Sequence, residues 1–185
     1  NVIELFESQL SKCFDNETFS SLKKLSANKN DSEKNFLIGL FYYNGKLIPS
    51  DVQKAFEYFK LAAEKNHPEA QFYLGTLYHN GKAIAKNLME AKKLYELSAN
   101  QDNDKALVML GRLYHKGIVK DYKKAKYYFN KAIQLKNVEA LMRLGQLYIT
   151  KNKYSKGKFY YERAAEQGYI HAYYKIGMLY FYKKG

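Results

Sequence analysis

The chain has little cysteine, proline or tryptophan. It contains one cysteine, Cys13, two prolines and no tryptophan among 185 residues. One cysteine excludes an intrachain disulfide framework and a cysteine-rich metal site, and Cys13 is interpreted as a small apolar packing residue. No apolar run approaches the roughly 20 residues of a membrane span. No signal peptide is visible, but the chain starts at Asn1 rather than Met, so cytoplasm, periplasm and secretion stay equally open.

Acidic side chains are scarce in the second half of the chain. The net charge is +13. Residues 1–92 carry 12 basic and 11 acidic side chains, whereas residues 93–185 carry 19 and 7. Such one-sided charge can steer an acidic partner. A compositional origin also fits, because Lys and Asn are abundant together.

Five glycines recur at a nearly constant step. They are separated by 36, 36, 34 and 32 residues, and each lies in a short motif with Leu or Ile before it and Tyr three residues after it. A step of this size is typical of a repeat array. The five are Gly39, Gly75, Gly111, Gly145 and Gly177.

Each glycine motif is predicted to lie in a helix, which we call the first helix of its repeat. A second helix is predicted to follow the first helix in four repeats. In it, small residues flank a large ring, as in Ala55, Phe59 and Ala63, and such a face lets two helices approach closely. We therefore expect Gly111 to lie where two helices touch. Gly45, Gly81 and Gly117 are expected to close first helices in the left-handed conformation. The predicted N-caps of second helices are Asp51, Asn87 and Asp121.

These patterns predict an all-α fold, a right-handed α-solenoid of antiparallel helix pairs. Residues 1–32 are interpreted as a degenerate N-terminal repeat or cap, with helices over 1–15 and 17–27. Residues 33–185 continue it as a repeat array, and no Pro- or Gly-rich linker divides this single domain. The chain ends just after a first helix, so we expect the parent protein to continue.

The repeated pattern resembles the Sel-one-like repeat (SLR) family, a relative of the tetratricopeptide repeat. The matching pattern is Ala-x-x-x-Leu-Gly-x-Leu-Tyr-x-x-Gly, then Asp/Asn-x-x-Lys-Ala-x-x-Tyr-Tyr-x-x-Ala-Ala, and it covers roughly residues 33–182. The shorter steps also fit the tetratricopeptide sister family, and the cysteine-rich subfamily is excluded. The resemblance implies a protein-interaction scaffold rather than an enzyme. Members are common in bacteria, in envelope, secretion and host-interaction roles.

No catalytic or metal-binding constellation stands out in the sequence. The four histidines lie in different repeats, and the equivalent pair His79 and His115 supplies too few ligands for zinc. We therefore expect no enzyme activity, no metal and no cofactor. A basic run with interleaved tyrosines, from Lys116 to Lys131, resembles a surface for single-stranded nucleic acid. Its rings fall partly on core positions, so a solvated convex face is favoured over nucleic acid.

The binding surface predicted by the resemblance is the concave groove lined by first helices. An extended or helical peptide with an acidic group near Arg112 and Lys116 would suit its central cations. The candidate residues are Phe72, Thr76, His79, Asn80, Val108, Arg112, His115, Lys116, Met142, Gln146 and Ile149.

Three functions remain open from the sequence. The leading one is a non-catalytic scaffold or adaptor that binds a protein or peptide. The second is an inhibitor or immunity-type protein that blocks a toxin or an envelope enzyme. The third is an anionic-polymer binder that uses the basic C-terminal half. The identity of the partner and the oligomeric state are not fixed by these patterns.

Overall fold

The computed structural model describes residues 31–45, 48–117 and 120–182. Within these ranges every regular element is an α-helix. The helices predicted over 1–15 and 17–27, and Cys13, lie outside the described residues. The helices are α1 (Ser32–Asn44), α2 (Val52–Glu64), α3 (Pro68–Asn80), α4 (Leu88–Ala99), α5 (Asp104–Lys116), α6 (Tyr122–Gln134), α7 (Val138–Ile149), α8 (Tyr154–Glu166) and α9 (Ile170–Tyr182).

The chain divides into two compact units, an N-terminal unit Asn1–Leu97 and a C-terminal unit Ser98–Gly185. In the N-terminal unit, α2 packs against α1 and α3. In the C-terminal unit, each helix from α5 to α9 packs against the next, and α5 also contacts α7. The all-α architecture of helix pairs predicted from the sequence is confirmed. None of the helices in the described ranges is long and apolar enough to span a bilayer.

Each complete repeat places a ring of its second helix directly over the glycine of its first helix. A Cβ atom added to Gly111 would lie 2.5 Å from Cδ1 of Phe129. Such a contact is too short for any side chain, so the expectation that Gly111 lies where two helices touch is confirmed. Gly177 differs, since no described atom lies within 4 Å of its Cβ position. The other pairs are Gly39 with Phe59, Gly75 with Tyr95 and Gly145 with Tyr161.

A second contact explains the tyrosine of the motif. In the third repeat Tyr114 stacks on Tyr128, with ring centroids 5.6 Å apart and an angle of 7° between the planes. Lys124 Nζ lies 5.3 Å from the Tyr114 centroid. The lysine at the start of the second helix thus adds a cation–π contact to an aromatic pair. The same trio recurs as Tyr42, Tyr58 and Lys54, and as Tyr148, Tyr160 and Lys156.

The predicted N-caps of second helices are confirmed. The Asp51 and Asp121 carboxylates accept hydrogen bonds from the backbone N–H groups three residues later, at 3.0 and 2.9 Å. Asn87 Oδ1 accepts from the N–H groups of Met89 and Glu90, at 3.1 and 3.0 Å. Short polar side chains at these positions satisfy N–H groups that have no partner within the helix.

The helix-closing glycines behave in two ways. Gly45 and Gly81 have φ of 65° and 70°, so the predicted left-handed closure is confirmed there. The same prediction is wrong for Gly117, which has φ −74° and ψ −178°. Its N–H donates to the Leu113 carbonyl at 2.7 Å, and a Cβ at residue 117 would collide with that oxygen. Glycine is needed there for close approach rather than for a left-handed backbone.

Cap residues of first helices also join neighbouring repeats. Asn137 Oδ1 accepts from the Ala140 N–H at 3.0 Å, while its Nδ2 donates to Asp104 Oδ2 at 2.7 Å. His67 acts in the same way in the N-terminal unit. Its Nδ1 accepts from the Ala70 N–H at 3.3 Å, and its Nε2 lies 2.9 Å from Glu33 Oε2. In each case the cap of one first helix reaches an acid in the first turn of the preceding first helix.

Candidate functional site

In the N-terminal unit, three of the candidate groove residues surround the ring of Tyr95. Tyr95 donates its hydroxyl hydrogen to Thr76 Oγ1 at 3.3 Å, and Thr76 donates to the Phe72 carbonyl at 3.0 Å. The rings of Phe72 and His79 lie 6.0 and 6.4 Å from that of Tyr95. These side chains hold in place the ring that covers a motif glycine. Asn80 is exposed at the end of α3.

In the C-terminal unit, Arg112 and Lys116 are the exposed candidates, and both belong to α5. They are four residues apart, so their side chains share one helix face. Arg112 Nη1 lies 3.2 Å from Met109 Sδ. The remaining candidates here are buried or half-buried: Val108, His115, Met142, Gln146 and Ile149.

Neither Arg112 nor Lys116 forms an ion pair with a residue that the structure describes. Arg143 of α7, in contrast, donates from Nε and Nη2 to Glu139 Oε1 at 2.9 and 2.6 Å. The exposed face of α5 therefore carries charge that is available to an anionic ligand.

His115 directly precedes Lys116 in α5, and only 6% of it is exposed. Its Nε2 is 3.2 Å from Thr150 Oγ1, and Thr150 donates its hydroxyl hydrogen to the Leu147 carbonyl at 2.8 Å. Burial is the main reason that the pKa of His115 lies below its ordinary value. Three nearby cations lower this pKa further: Lys116, Arg143 and Lys120.

Sequence reasoning missed the partners of His115. Lys151 Nζ lies 3.6 Å from the ring centroid of Tyr122, and that ring is 6.0 Å from the His115 ring. A signal for the hydrogen bond to Thr150 was present, since the two residues are 35 apart, close to one repeat step. No such signal indicated that Arg143 is a neighbour of His115, because Arg143 occupies no position that the motif fixes.

Metal chemistry finds no support in the described ranges. They contain no group of three or more His, Cys, Asp or Glu side chains that could hold a metal ion. His79 belongs to the N-terminal unit and His115 to the C-terminal unit, and each packs against an aromatic ring of its own unit.

Helix pairs repeated at steps of 32 to 36 residues, each with a glycine under a ring, define the class of all-α repeat proteins. The family model of the Sel1 repeat matches residues 35–67, 68–103, 104–137, 138–169 and 170–185. The chain belongs to the Sel1 repeat family, as the SLR resemblance predicted. The tetratricopeptide alternative is thereby set aside.

Several solved structures of bacterial proteins are similar to this chain. A Sel1 repeat protein from Oxalobacter formigenes is 28% identical with a TM-score of 0.76, over 89% of this chain and 69% of that one. A protective antigen from uropathogenic Escherichia coli is 27% identical with a TM-score of 0.74, over 85% of this chain and 35% of that one. An immunity protein from Pseudomonas aeruginosa shares the fold, at 22% identity and a TM-score of 0.60, over 84% of this chain and 58% of that one. Among curated proteins none matches the chain.

Proposed function

We propose that the chain is a non-catalytic scaffold that binds a protein or peptide partner through its first helices. An acidic group of the partner binds at Arg112 and Lys116. The observation that carries this proposal is the exposed pair of cations on one face of α5, neither of which forms an ion pair with a described residue. Sel1 repeats form a scaffold suited to protein binding, which supports the same function.

The chemistry of the two cations favours a carboxylate. A guanidinium presents a planar set of N–H donors that can bond both oxygens of one carboxylate, and the lysine adds a mobile ammonium. Arg112 already lies on the helix surface, so a partner does not have to displace a bound acid to reach it. Loss of one hydrogen bond to a charged group costs about 1.5–3 kcal/mol of binding free energy.

The first test is a titration with the physiological partner. The full chain is used as bait in a lysate of the source organism, and the captured protein is purified and titrated against variants. Arg112→Ala is expected to weaken binding by about 1.5–3 kcal/mol, with the fold intact because the motif does not fix this position. The control is Lys123→Ala/Lys124→Ala on α6, which should change the affinity little.

The titration can also reject the proposal. If the change at Lys123 and Lys124 weakens binding more than the change at Arg112, the functional surface is the basic face of the second helices. Catalytic turnover by the isolated chain, abolished by a single-site change, would exclude a pure scaffold.

The inhibitor or immunity function differs from the scaffold function only in its partner. Its support is the fold shared with the Pseudomonas immunity protein, at an identity that establishes the fold alone. Capture of a secreted toxin or an envelope enzyme, with loss of that enzyme's activity on binding, would favour this function. Capture of a partner whose activity is unaffected would favour an adaptor.

A further inference from the structure

The protonation state of His115 follows from its hydrogen bonds. Thr150 uses its hydroxyl hydrogen on the Leu147 carbonyl, so its oxygen can only accept from the imidazole. His115 Nε2 therefore carries the hydrogen of the neutral ring. Nδ1 is then the nitrogen without a hydrogen and the atom that would take up a further proton.

Charged and titratable groups surround this ring from each element packed around it. Lys116 comes from α5, Lys120 from the segment before α6, and Arg143 from α7, and all three disfavour a positive charge on the imidazole. The ring of Tyr122 in α6 lies 6.0 Å from that of His115, centroid to centroid. We refer to His115, Lys116, Lys120 and Arg143 as the His115 cluster.

The His115 cluster is short of negative charge. Glu139 bonds Arg143 through two hydrogen bonds and is thereby engaged. Asp121 uses Oδ1 to cap α6. Lys116 and Lys120 form no ion pair with a described residue, unlike Lys131, whose Nζ lies 3.0 Å from Asp102 Oδ1.

An anion bound among these cations would reverse the electrostatic balance at the ring. Opposite charge near a histidine favours its protonated form, and like charge disfavours it. A carboxylate that pairs with Lys116 and Lys120 would therefore offset the part of the lowered pKa of His115 that these cations cause. The proton that enters at Nδ1 comes from solvent, and no bond between heavy atoms is made or broken.

We propose that the His115 cluster binds a carboxylate of an acidic peptide and that His115 takes up one proton when the carboxylate binds. This proposal rests on the proposed function, because it specifies the ligand chemistry at the same end of α5. Nucleic acid is disfavoured as the source of the anion. Lys151 covers one face of Tyr122, the aromatic ring at the cluster, and the residue is half-buried, which leaves little of the ring for a base to stack on.

The test uses hexaglutamate as the probe and hexaglutamine as its neutral counterpart. The pKa of each histidine in the full chain is followed by NMR, with and without the probe. Hexaglutamate stays ionised between roughly pH 6 and pH 8, since Glu titrates near 4.3. We expect the pKa of His115 to rise with hexaglutamate and not with hexaglutamine.

The affinity for hexaglutamate should depend on pH, because proton uptake by His115 is coupled to binding. Hexaglutamate is expected to bind about threefold to tenfold more tightly near pH 6 than near pH 8, because a rise of one pKa unit corresponds to tenfold in affinity. His115→Gln keeps an N–H donor toward Thr150 and cannot titrate, so it should abolish this pH dependence. Thermal melting of each variant confirms that the fold is retained.

Matched lysine pairs locate the site. Lys116→Ala/Lys120→Ala should weaken hexaglutamate binding at least tenfold and remove the shift at His115, whereas Lys123→Ala/Lys126→Ala on α6 should do neither. Binding without a shift at His115, equal loss in both pairs, or no binding at low salt overturns the proposal. So does oligo(dT) that binds more tightly than hexaglutamate and displaces it.

The captured partner separates the two proposals. If that partner still depends on Arg112 while hexaglutamate leaves His115 unchanged, the proposed function stands and the proton-coupled carboxylate site fails. If the partner is also indifferent to Arg112, both fail.

Discussion

At the scale of single residues, glycine and a ring form the contact on which each complete helix pair is built. Gly111 and Phe129 are too close for any side chain between them, and three further pairs repeat this geometry. Glycine in a helix interior is otherwise unfavourable by about 1 kcal/mol relative to alanine. The close packing of the ring therefore offsets a local cost of helix formation.

Gly177 provides a matched control for this contact. Both glycines lie in the C-terminal unit at the same place in the motif, but within the described residues only Gly111 of the two has a ring over it. Gly177→Ala should stabilise the chain by up to about 1 kcal/mol through helix propensity. Gly111→Ala should destabilise it by about 1–3 kcal/mol through overpacking. Urea unfolding of the two variants checks this, and equal changes in stability would contradict it.

His115 makes the stability of the chain depend on pH. Its pKa is lower in the folded chain than the ordinary value, because of burial first and of the neighbouring cations second. The unfolded chain thus binds more protons, and the free energy of unfolding rises with pH. This contribution is fully present above about pH 6.5 and is lost as the pH falls from there through the lower folded pKa.

The variant His115→Gln isolates this effect from the other histidines. It should lose less stability than the wild type when the pH falls from about 7 to about 5. Thermal unfolding at a series of pH values checks the prediction. Parallel pH profiles for the two proteins would show that His115 does not titrate on unfolding.

The sequence could predict contacts of residues that the motif repeats, and few others. Gly111 and the caps Asp51, Asn87 and Asp121 were correctly predicted, because local chemistry dictates their roles. The bond of His115 to Thr150 was not predicted, because a spacing of about one repeat step suggests that two residues are neighbours but does not determine which side chains meet. Which side chains meet is set by loops and packing rather than by residue type.

At the scale of helices, α7 and α8 show how one repeat departs from the others. Gly157 in α8 stands where the other second helices have alanine. A Cβ atom there would collide with Cδ1 of Ile149 and lie 3.0 Å from the Gly145 carbonyl oxygen. The Ile149 side chain on α7 is accommodated because residue 157 on α8 has no side chain.

The pair Gly157 and Ile149 should behave as one energetic unit. Gly157→Ala is expected to destabilise the chain by about 1–3 kcal/mol, in spite of alanine's better helix propensity. Ile149→Ala removes both atoms that would collide with that Cβ, Cδ1 and Cγ1, and alone should cost about 2 kcal/mol. The double variant should be more stable than the sum of the two changes predicts, by at least about 0.5 kcal/mol. Additive effects in a double-mutant cycle would show that the helices adjust without strain.

Helix ends were only partly predictable. A glycine after the last turn indicates that a side chain is excluded, but not for which reason. At Gly45 and Gly81 the reason is a positive φ, and at Gly117 it is the carbonyl of Leu113. Two different backbone geometries thus require glycine at aligned positions.

At the scale of the whole molecule, charge is the most uneven property. Residues 98–185 carry 18 basic and 6 acidic side chains. A field of this kind accelerates encounters with an acidic partner, and salt screens it over about 10 Å at 0.1 M ionic strength. The fold class follows from the repeat step, but the partner does not. The exposed side chains that would determine which partner binds differ from one repeat to the next.

Association and dissociation rates should distinguish long-range electrostatic steering from direct contact with the partner. Lys123→Ala/Lys124→Ala is expected to slow association with the captured partner by a factor of a few and to leave dissociation nearly unchanged. Arg112→Ala should mainly accelerate dissociation, because it removes a bond made only in the complex. Surface plasmon resonance at two salt concentrations measures both rates. A salt-independent association rate would show that the basic surface plays no part in the encounter.

The cap residues that bond an acid of the preceding first helix also define where this protein can be cut and rejoined in repeat engineering. Asp104 and Asn137 are the first and last residues of one matched Sel1 segment, and they are hydrogen-bonded to each other. A transplanted cassette of residues 104–137 therefore carries its closing bond with it. A cassette cut at the ends of the α5–α6 hairpin would lose Asn137 and would leave both Asp104 and the N-terminus of α7 without their partner. The transferable module extends past the hairpin to the cap of the next first helix.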